Sequence, residues 1–168
     1  MEQGCWPGDI LFYDNPPNLS THLIVDGEHL EDPGEGVYFY HVAIALDAND
    51  KAEADGKCVE INPIDYGKFI AFRPPLSRAQ IRWGLFALRE LVGERYDWWM
   101  IADDALRFIT HNVIHLPASF ILSSERHRKI CNTLAAAYLE AAGWGLSELP
   151  RSPEDLYNAL RYWPVRTD

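Results

Sequence analysis

The stretch Arg128-Lys129-Ile130-Cys131-Asn132-Thr133-Leu134-Ala135-Ala136-Ala137-Tyr138-Leu139-Glu140-Ala141-Ala142-Gly143-Trp144 starts polar and basic, then becomes an alanine-rich helical run that stops at Gly143. Cys131 stands where that helix opens. A sulfur placed there lies beside backbone N–H groups that have no carbonyl partner and at the positive end of the helix dipole, both of which favour a thiolate. A candidate base is His41, the first residue of the apolar, β-rich run His41-Val42-Ala43-Ile44-Ala45-Leu46. A third polar group is Glu60, a carboxylate in the middle of Cys58-Val59-Glu60-Ile61-Asn62, which otherwise reads as a strand. Cysteine, histidine and an orienting carboxylate are the parts of a thiol hydrolase. Each residue also has a plainer account. A helical cysteine is commonly a small core hydrophobe, a histidine beside a strand often only packs, and an outward-facing edge carboxylate is simply solvated.

Working outward, period-two patterning predicts strands near residues 9–13, 39–47, 57–62 and 68–73, separated by turn residues such as Asn49-Asp50 and Arg73-Pro74-Pro75. Beyond Pro75 the period becomes helical. Ser77-Arg78-Ala79-Gln80 reads as a capping box, and Ile81, Leu85, Leu88 and Val92 form one apolar face expected to pack on the sheet, with the helix ending at Gly93. Further helices are expected over residues 99–109, from Cys131 with Leu134, Tyr138 and Ala142 on one stripe, and from Ser152-Pro153. The segment from Asn15 to Val37 is long for a connection and receives no assignment beyond a lid or a surface excursion.

The order of these blocks carries more information than any one of them. Gly8-Asp9-Ile10-Leu11-Phe12, the His41 strand, the Glu60 strand, Tyr66-Gly67-Lys68-Phe69-Ile70-Ala71-Phe72-Arg73, a helix leading to Gly93-Glu94-Arg95-Tyr96-Asp97, the Cys131 helix and Ser152-Pro153-Glu154-Asp155-Leu156 follow in turn. This succession resembles the circularly permuted branch of the NlpC superfamily, the YiiX-like permuted papain-like amidases, relatives of the lecithin retinol acyltransferase-like proteins. The resemblance runs from about Gly8 to Leu160. It implies an α+β, circularly permuted papain-like (NlpC-type) fold, with an antiparallel sheet or partial barrel packed against helices. It also implies a catalytic cysteine at Cys131, a histidine at His41 and a third residue at Glu60, the histidine and polar residue preceding the cysteine in the chain. Two positions depart from the pattern: Asn132 stands where serine often follows the cysteine, and the bulky Tyr40 precedes the histidine. Tyr40, Asn132, Asp9 and Cys58 are expected to line the cleft, Cys58 as a neighbour of the site because a strand offers its thiol no dipole.

The 168 residues, 48% of them hydrophobic, fit one domain able to bury roughly 70% of its unfolded surface. Three cysteines with no close pair argue against a disulfide framework. Residues 1–65 hold 14 acids and 2 bases, net −12, while residues 66–168 hold 11 acids and 13 bases, net +2. So acidic a half disfavours nucleic acid and anionic membranes as partners. No run of 18 apolar residues and no leader-like start is present, so a cytoplasmic chain without membrane insertion is expected, although a leader cleaved before residue 1 would leave no trace. His111 and His115 have metal-like spacing, but Asn112 replaces the glutamate of a zinc-protease helix. Asp103 and Asp104 point about 100° apart on a helix, and Trp98 and Trp99 suit a core. There is no phosphate loop and no serine elbow, and neither a cofactor nor a metal is expected.

The resulting expectation is a thiol hydrolase, a cysteine peptidase or amidase acting on a peptide, other amide or acyl-lipid, cell-wall peptides being one such class. Cys131 would attack the carbonyl, His41 would carry the proton, Glu60 would orient the ring, and the Cys131 backbone N–H would meet the oxyanion. An acyltransferase or lipid esterase on the same triad, or a binding module with an inert cysteine, stands as the alternative.

Overall fold

In the computed structural model the described residues are 4–14, 39–54, 57–65, 69–96, 128–129, 131–146, 150 and 152–161. Among them lies a five-stranded open antiparallel sheet built from β1 (Ile10–Tyr13), β2 (His41–Ala45), β3 (Asp50–Ala54), β4 (Val59–Pro63) and β5 (Phe69–Phe72), in the order β4-β3-β2-β1-β5. Three helices accompany it: α1 (Arg78–Glu90), α2 (Cys131–Ala141) and α3 (Pro153–Arg161). A short parallel pair, β6 (Arg95–Tyr96) and β7 (Arg128–Lys129), makes a second sheet. The architecture is therefore α+β. No helix among the described residues is long and apolar enough to cross a membrane.

β1 pairs on both sides, Ile10 opposite Ile44 and Phe72, Tyr13 opposite His41 and Phe69. Core clusters cover both faces of this strand, Ile10 and Phe12 in one and Leu11 and Tyr13 in the other, which is why its four residues are all apolar or aromatic and all buried. Alternation then divides the core. Ile10, Phe12, Val42, Ile44, Ala52 and Ala54 face the helices, and Leu11, Tyr13, Ala43 and Ala45 face the other side with Cys5, Ile64 and Phe69.

The capping box forms as the sequence predicts: the Gln80 backbone N–H donates to Ser77 Oγ and the Gln80 side chain accepts from the Ser77 N–H. α1's main packing partner, however, is α2 rather than the sheet, and α2 in turn lies on β2 and β3. Gly84 explains the arrangement. A Cβ at that position would stand 2.7 Å from the Tyr138 ring, so glycine lets the two helices approach. Val92 falls past the end of α1 and is exposed. Leu134, Tyr138 and Ala142 do share one buried stripe, with the Tyr138 hydroxyl donating to the Gly8 carbonyl at 3.1 Å. The helix unwinds into Gly143 at φ +80°, a left-handed position that glycine occupies without strain. Ser152 caps α3 by accepting from the Asp155 N–H, with Pro153 as the first helical residue.

β3 has no counterpart in the sequence reading. Asp50-Lys51-Ala52-Glu53-Ala54 lacks the β-branched and aromatic residues that mark strands, and Asn49-Asp50 reads as a turn. The strand forms because Ala52 and Ala54 complete the helix-side core while backbone pairing to β2 and β4 satisfies both edges. The expected helix over residues 99–109, the segment from Asn15 to Val37, the His111 and His115 pair, Asp103 with Asp104, and Trp98 with Trp99 all lie outside the described residues.

Candidate active site

Cys131 is the first residue of α2 and His41 the first of β2, so packing of α2 on β2 brings a helix tip to a strand start. The Cys131 thiol and the His41 side chain lie close enough for each to shift the other's proton affinity, and the backbone N–H groups of Val42 and Asn132 also act on the sulfur. The imidazole's other contact is fixed: His41 Nε2 donates to Glu53 Oε2 at 2.8 Å. That leaves Nδ1 for the thiol, since a neutral or protonated imidazole has only two nitrogens to offer. The ring is clasped by aromatics, with Tyr40 stacked at 6.1 Å between centroids and Tyr13 tilted at 5.7 Å.

Glu53 is held at every turn. Its Oε2 also accepts from Lys51 Nζ at 2.7 Å, and its Oε1 accepts from Asn62 Nδ2 at 3.0 Å. Burial by itself would push the Glu53 carboxyl up, but the hydrogen bonds and charges of His41 and Lys51 bring it down to about 2. Burial likewise opposes a charged imidazole, yet the bonds to Cys131 and Glu53 raise His41 to about 9. The Cys131 thiol is pushed up by burial and pulled further down by His41 and the two backbone donors, so it ends below an ordinary thiol. The arrangement favours an imidazolium between two anions. Burial, with the Glu53 and Asp65 carboxylates, raises the Tyr13 and Tyr40 hydroxyls, which stay neutral.

Glu60 does not take the place expected of it. It lies on β4, opposite Glu53 in the register, with β3 between it and β2, and two inter-strand steps amount to roughly 10 Å. Its Oε1 instead accepts from Cys58 Sγ at 3.1 Å. Cys58 is bridged to Arg95 on that far side and does not border His41. Asp9 is also removed from the cleft: it precedes Ile10, four residues along β1 from the Tyr13 that pairs with His41, a span of roughly 13 Å. There its carboxylate accepts twice from Arg73, at 2.9 Å each, and once from the Trp6 N–H at 2.9 Å. The Asn132 side chain turns inward, Nδ2 donating to the Pro150 carbonyl at 2.7 Å, and only its backbone N–H serves the sulfur. Tyr40 does border the imidazole.

Glu53, Lys51, Asn62 and Tyr13 are the site residues that sequence reasoning missed. The available signal was the alternation Lys51-Ala52-Glu53-Ala54, small residues on one face and charges on the other, between two predicted strands only ten residues apart. Among the described residues no group of three or more His, Cys, Asp or Glu is placed to hold a metal ion. Cys131, His41 and Glu53 form a line with the imidazole in the middle, a geometry that moves protons. No protein-family model matches this chain, nor does any curated protein or solved structure.

Proposed function

We propose that this protein is a cysteine-dependent hydrolase that cleaves an amide bond through an acyl-thioester. Cys131 is the nucleophile, His41 the proton carrier and Glu53 the residue that fixes the ring. The observation that carries the reading is the His41 imidazole bonded through Nε2 to Glu53 and set beside the thiol at a helix start, which it pulls toward the thiolate. Further support comes from the chain order of His41, Glu53 and Cys131, which is that of the permuted papain-like amidases of the NlpC superfamily.

In the first half-reaction the thiolate attacks the carbonyl carbon, the π electrons move onto oxygen, and the oxyanion faces the Cys131 backbone N–H, which at the first helical position has no carbonyl one turn back. One such donor typically contributes about 3 kcal/mol. The C–N bond then breaks as the imidazolium gives its proton to the leaving amine. In the second, His41 removes a proton from water, hydroxide oxygen adds to the thioester, and the thiolate leaves with an acid product and a restored imidazolium. Glu53, ionised by its partners, keeps Nε2 protonated so that Nδ1 carries each transfer. Another nucleophile in place of water makes the same steps an acyl transfer.

Cys131 is only 7% exposed, which favours a second reading, a binding module of the same fold with an inert cysteine. Alkylation by iodoacetamide across pH separates the two. Rapid, selective modification of Cys131 well below pH 8, abolished in His41→Ala, supports the hydrolase, and an ordinary thiol profile rejects it. Mass spectrometry of Cys131 after exposure to muropeptides, acyl lipids and simple amides then reads the substrate class from the trapped acyl group.

A further inference from the structure

A single oxygen, Glu53 Oε2, receives both His41 Nε2 at 2.8 Å and Lys51 Nζ at 2.7 Å. The two nitrogens are therefore no further apart than those two bonds laid end to end. Lys51 is almost wholly buried, its side chain 6% exposed, and its ammonium sits 4.5 Å above the Tyr13 ring. A lysine so placed is costly to bury, and an apolar residue would fill the space at no such cost. We propose that Lys51 is a positioning residue of the site: its ammonium holds the carboxylate oxygen that faces the imidazole and offsets part of its charge, so that His41 releases its proton during turnover. This deepens the hydrolase reading and rests on it.

The case is electrostatic and geometric. Thiolate, imidazolium, carboxylate and ammonium alternate in sign along the line from Cys131 to Lys51. An imidazolium pressed between two unshared anions is a poor acid, and a cation on the far side of the second anion weakens that grip. Among the described residues, the other groups around the imidazole supply no positive charge: Cys131 on α2, Glu53 on β3, Tyr13 on β1, the adjoining Tyr40, and beyond them Glu60 opposite Glu53 on β4, with Asp65, Asp14 and Cys5 acting on the two tyrosines. Asn62 Nδ2 tethers the other Glu53 oxygen without adding charge, so anchoring of the carboxylate does not itself require a lysine.

The test follows the His41 imidazole by NMR titration in the full chain, with iodoacetamide alkylation of Cys131 measured on the same samples. Lys51→Met is expected to raise the His41 midpoint by about one pH unit, as loss of a unit charge at this range in a partly buried site implies. Lys51→Gln, which can donate to the same oxygen without charge, is expected to do likewise. Lys51→Arg is expected to keep the midpoint near that of the unmodified chain. Should Lys51→Met fail to fold, Lys51→Gln is read in its place. Unchanged midpoints in the Met and Gln variants, with low-pH alkylation of Cys131 intact, overturn the role of Lys51 and leave the hydrolase standing. Absence of low-pH alkylation in the unmodified chain overturns both.

Discussion

Glu53 and Glu60 stand directly opposite each other on β3 and β4, yet it is Glu53 whose carboxylate meets the His41 imidazole, at 2.8 Å, while Glu60 accepts from Cys58 at 3.1 Å. Both are strand carboxylates on one face of one sheet. What separates them is a single inter-strand step: β3 is β2's neighbour and β4 is not. A carboxylate side chain spans one such step and cannot span two.

Substitution of the two glutamates should therefore have unequal effects. Glu53→Gln is expected to slow alkylation of Cys131 at pH 6, and turnover of any amide substrate, by about a hundredfold, because an amide neither stabilises the imidazolium nor fixes its protonated nitrogen. Glu60→Gln is expected to stay within about twofold of the unmodified chain, since its partner is the Cys58 thiol. Equal losses in the two variants would place the orienting carboxylate wrongly.

The pH dependence of stability carries a signature of the ion pair. His41 is raised from 6.5 to about 9, so its contribution is complete below pH 6.5 and is lost as pH rises to about 9. Cys131 is lowered from 9.0, so its contribution is complete above pH 9 and is lost as pH falls through its folded value. Where these ranges overlap the two slopes oppose each other and net stability changes little. Cys131→Ala removes the thiol's half together with the Cys131 share of what raises His41, so the loss of stability left above pH 6.5 rests on Glu53 alone and is expected to be shallower than about 1.4 kcal/mol per pH unit per proton. Urea midpoints at pH 6, 7.5 and 9 make the comparison, and parallel curves for the two proteins would count against the pair.

Glu53 adds a limb on the acid side. Its carboxyl is lowered from 4.5 to about 2, so its contribution is present above pH 4.5 and disappears as pH falls toward 2. Glu53→Gln should flatten that part of the stability curve, read by fluorescence-monitored acid unfolding, and an unchanged acid limb would refute the assignment.

Gly84→Ala tests how α1 meets α2. The added methyl would press on the Tyr138 ring at 2.7 Å and on the Tyr138 carbonyl oxygen at 3.0 Å, so backbone must shift. Overpacking of this kind costs about 1–3 kcal/mol, or a Tm lower by several degrees at this chain length. Calorimetry showing no loss would mean that the helices are not in close contact there.

Arg73→Ala probes the far end of the sheet. It leaves the buried Asp9 carboxylate with the Trp6 N–H, and because the Arg73 side chain is 58% exposed and its charge screened by solvent, the expected cost is only about 1–2 kcal/mol. The alkylation profile of Cys131 should not change. A shifted profile would return Asp9 to the cleft.

Most of the sheet was legible because β1, β2, β4 and β5 are written in apolar and β-branched residues with turn signals between them. The helices at Ser77, Cys131 and Ser152 were legible from their caps and their 3.6-residue stripes, and Cys131 and His41 from their places at the start of a helix and of a strand. These are local matters, set by side chains within one turn or one pleat of each other. The sequence by itself thus determined most of the described elements, and the two candidate reacting groups with their order in the chain. It was silent on β3, whose alanines and charges have little preference for a strand until β2 and β4 lie on either side, and for that reason it pointed to Glu60. Only the tertiary structure decided that Glu53 meets the His41 ring, that Lys51 and Asn62 hold Glu53, that Asp9 belongs to Arg73, and that α1 rests on α2. Each of these depends on which strand or helix is a neighbour in space, and spatial adjacency comes from burying the shared core, a sum over the whole chain that no short stretch of residues records.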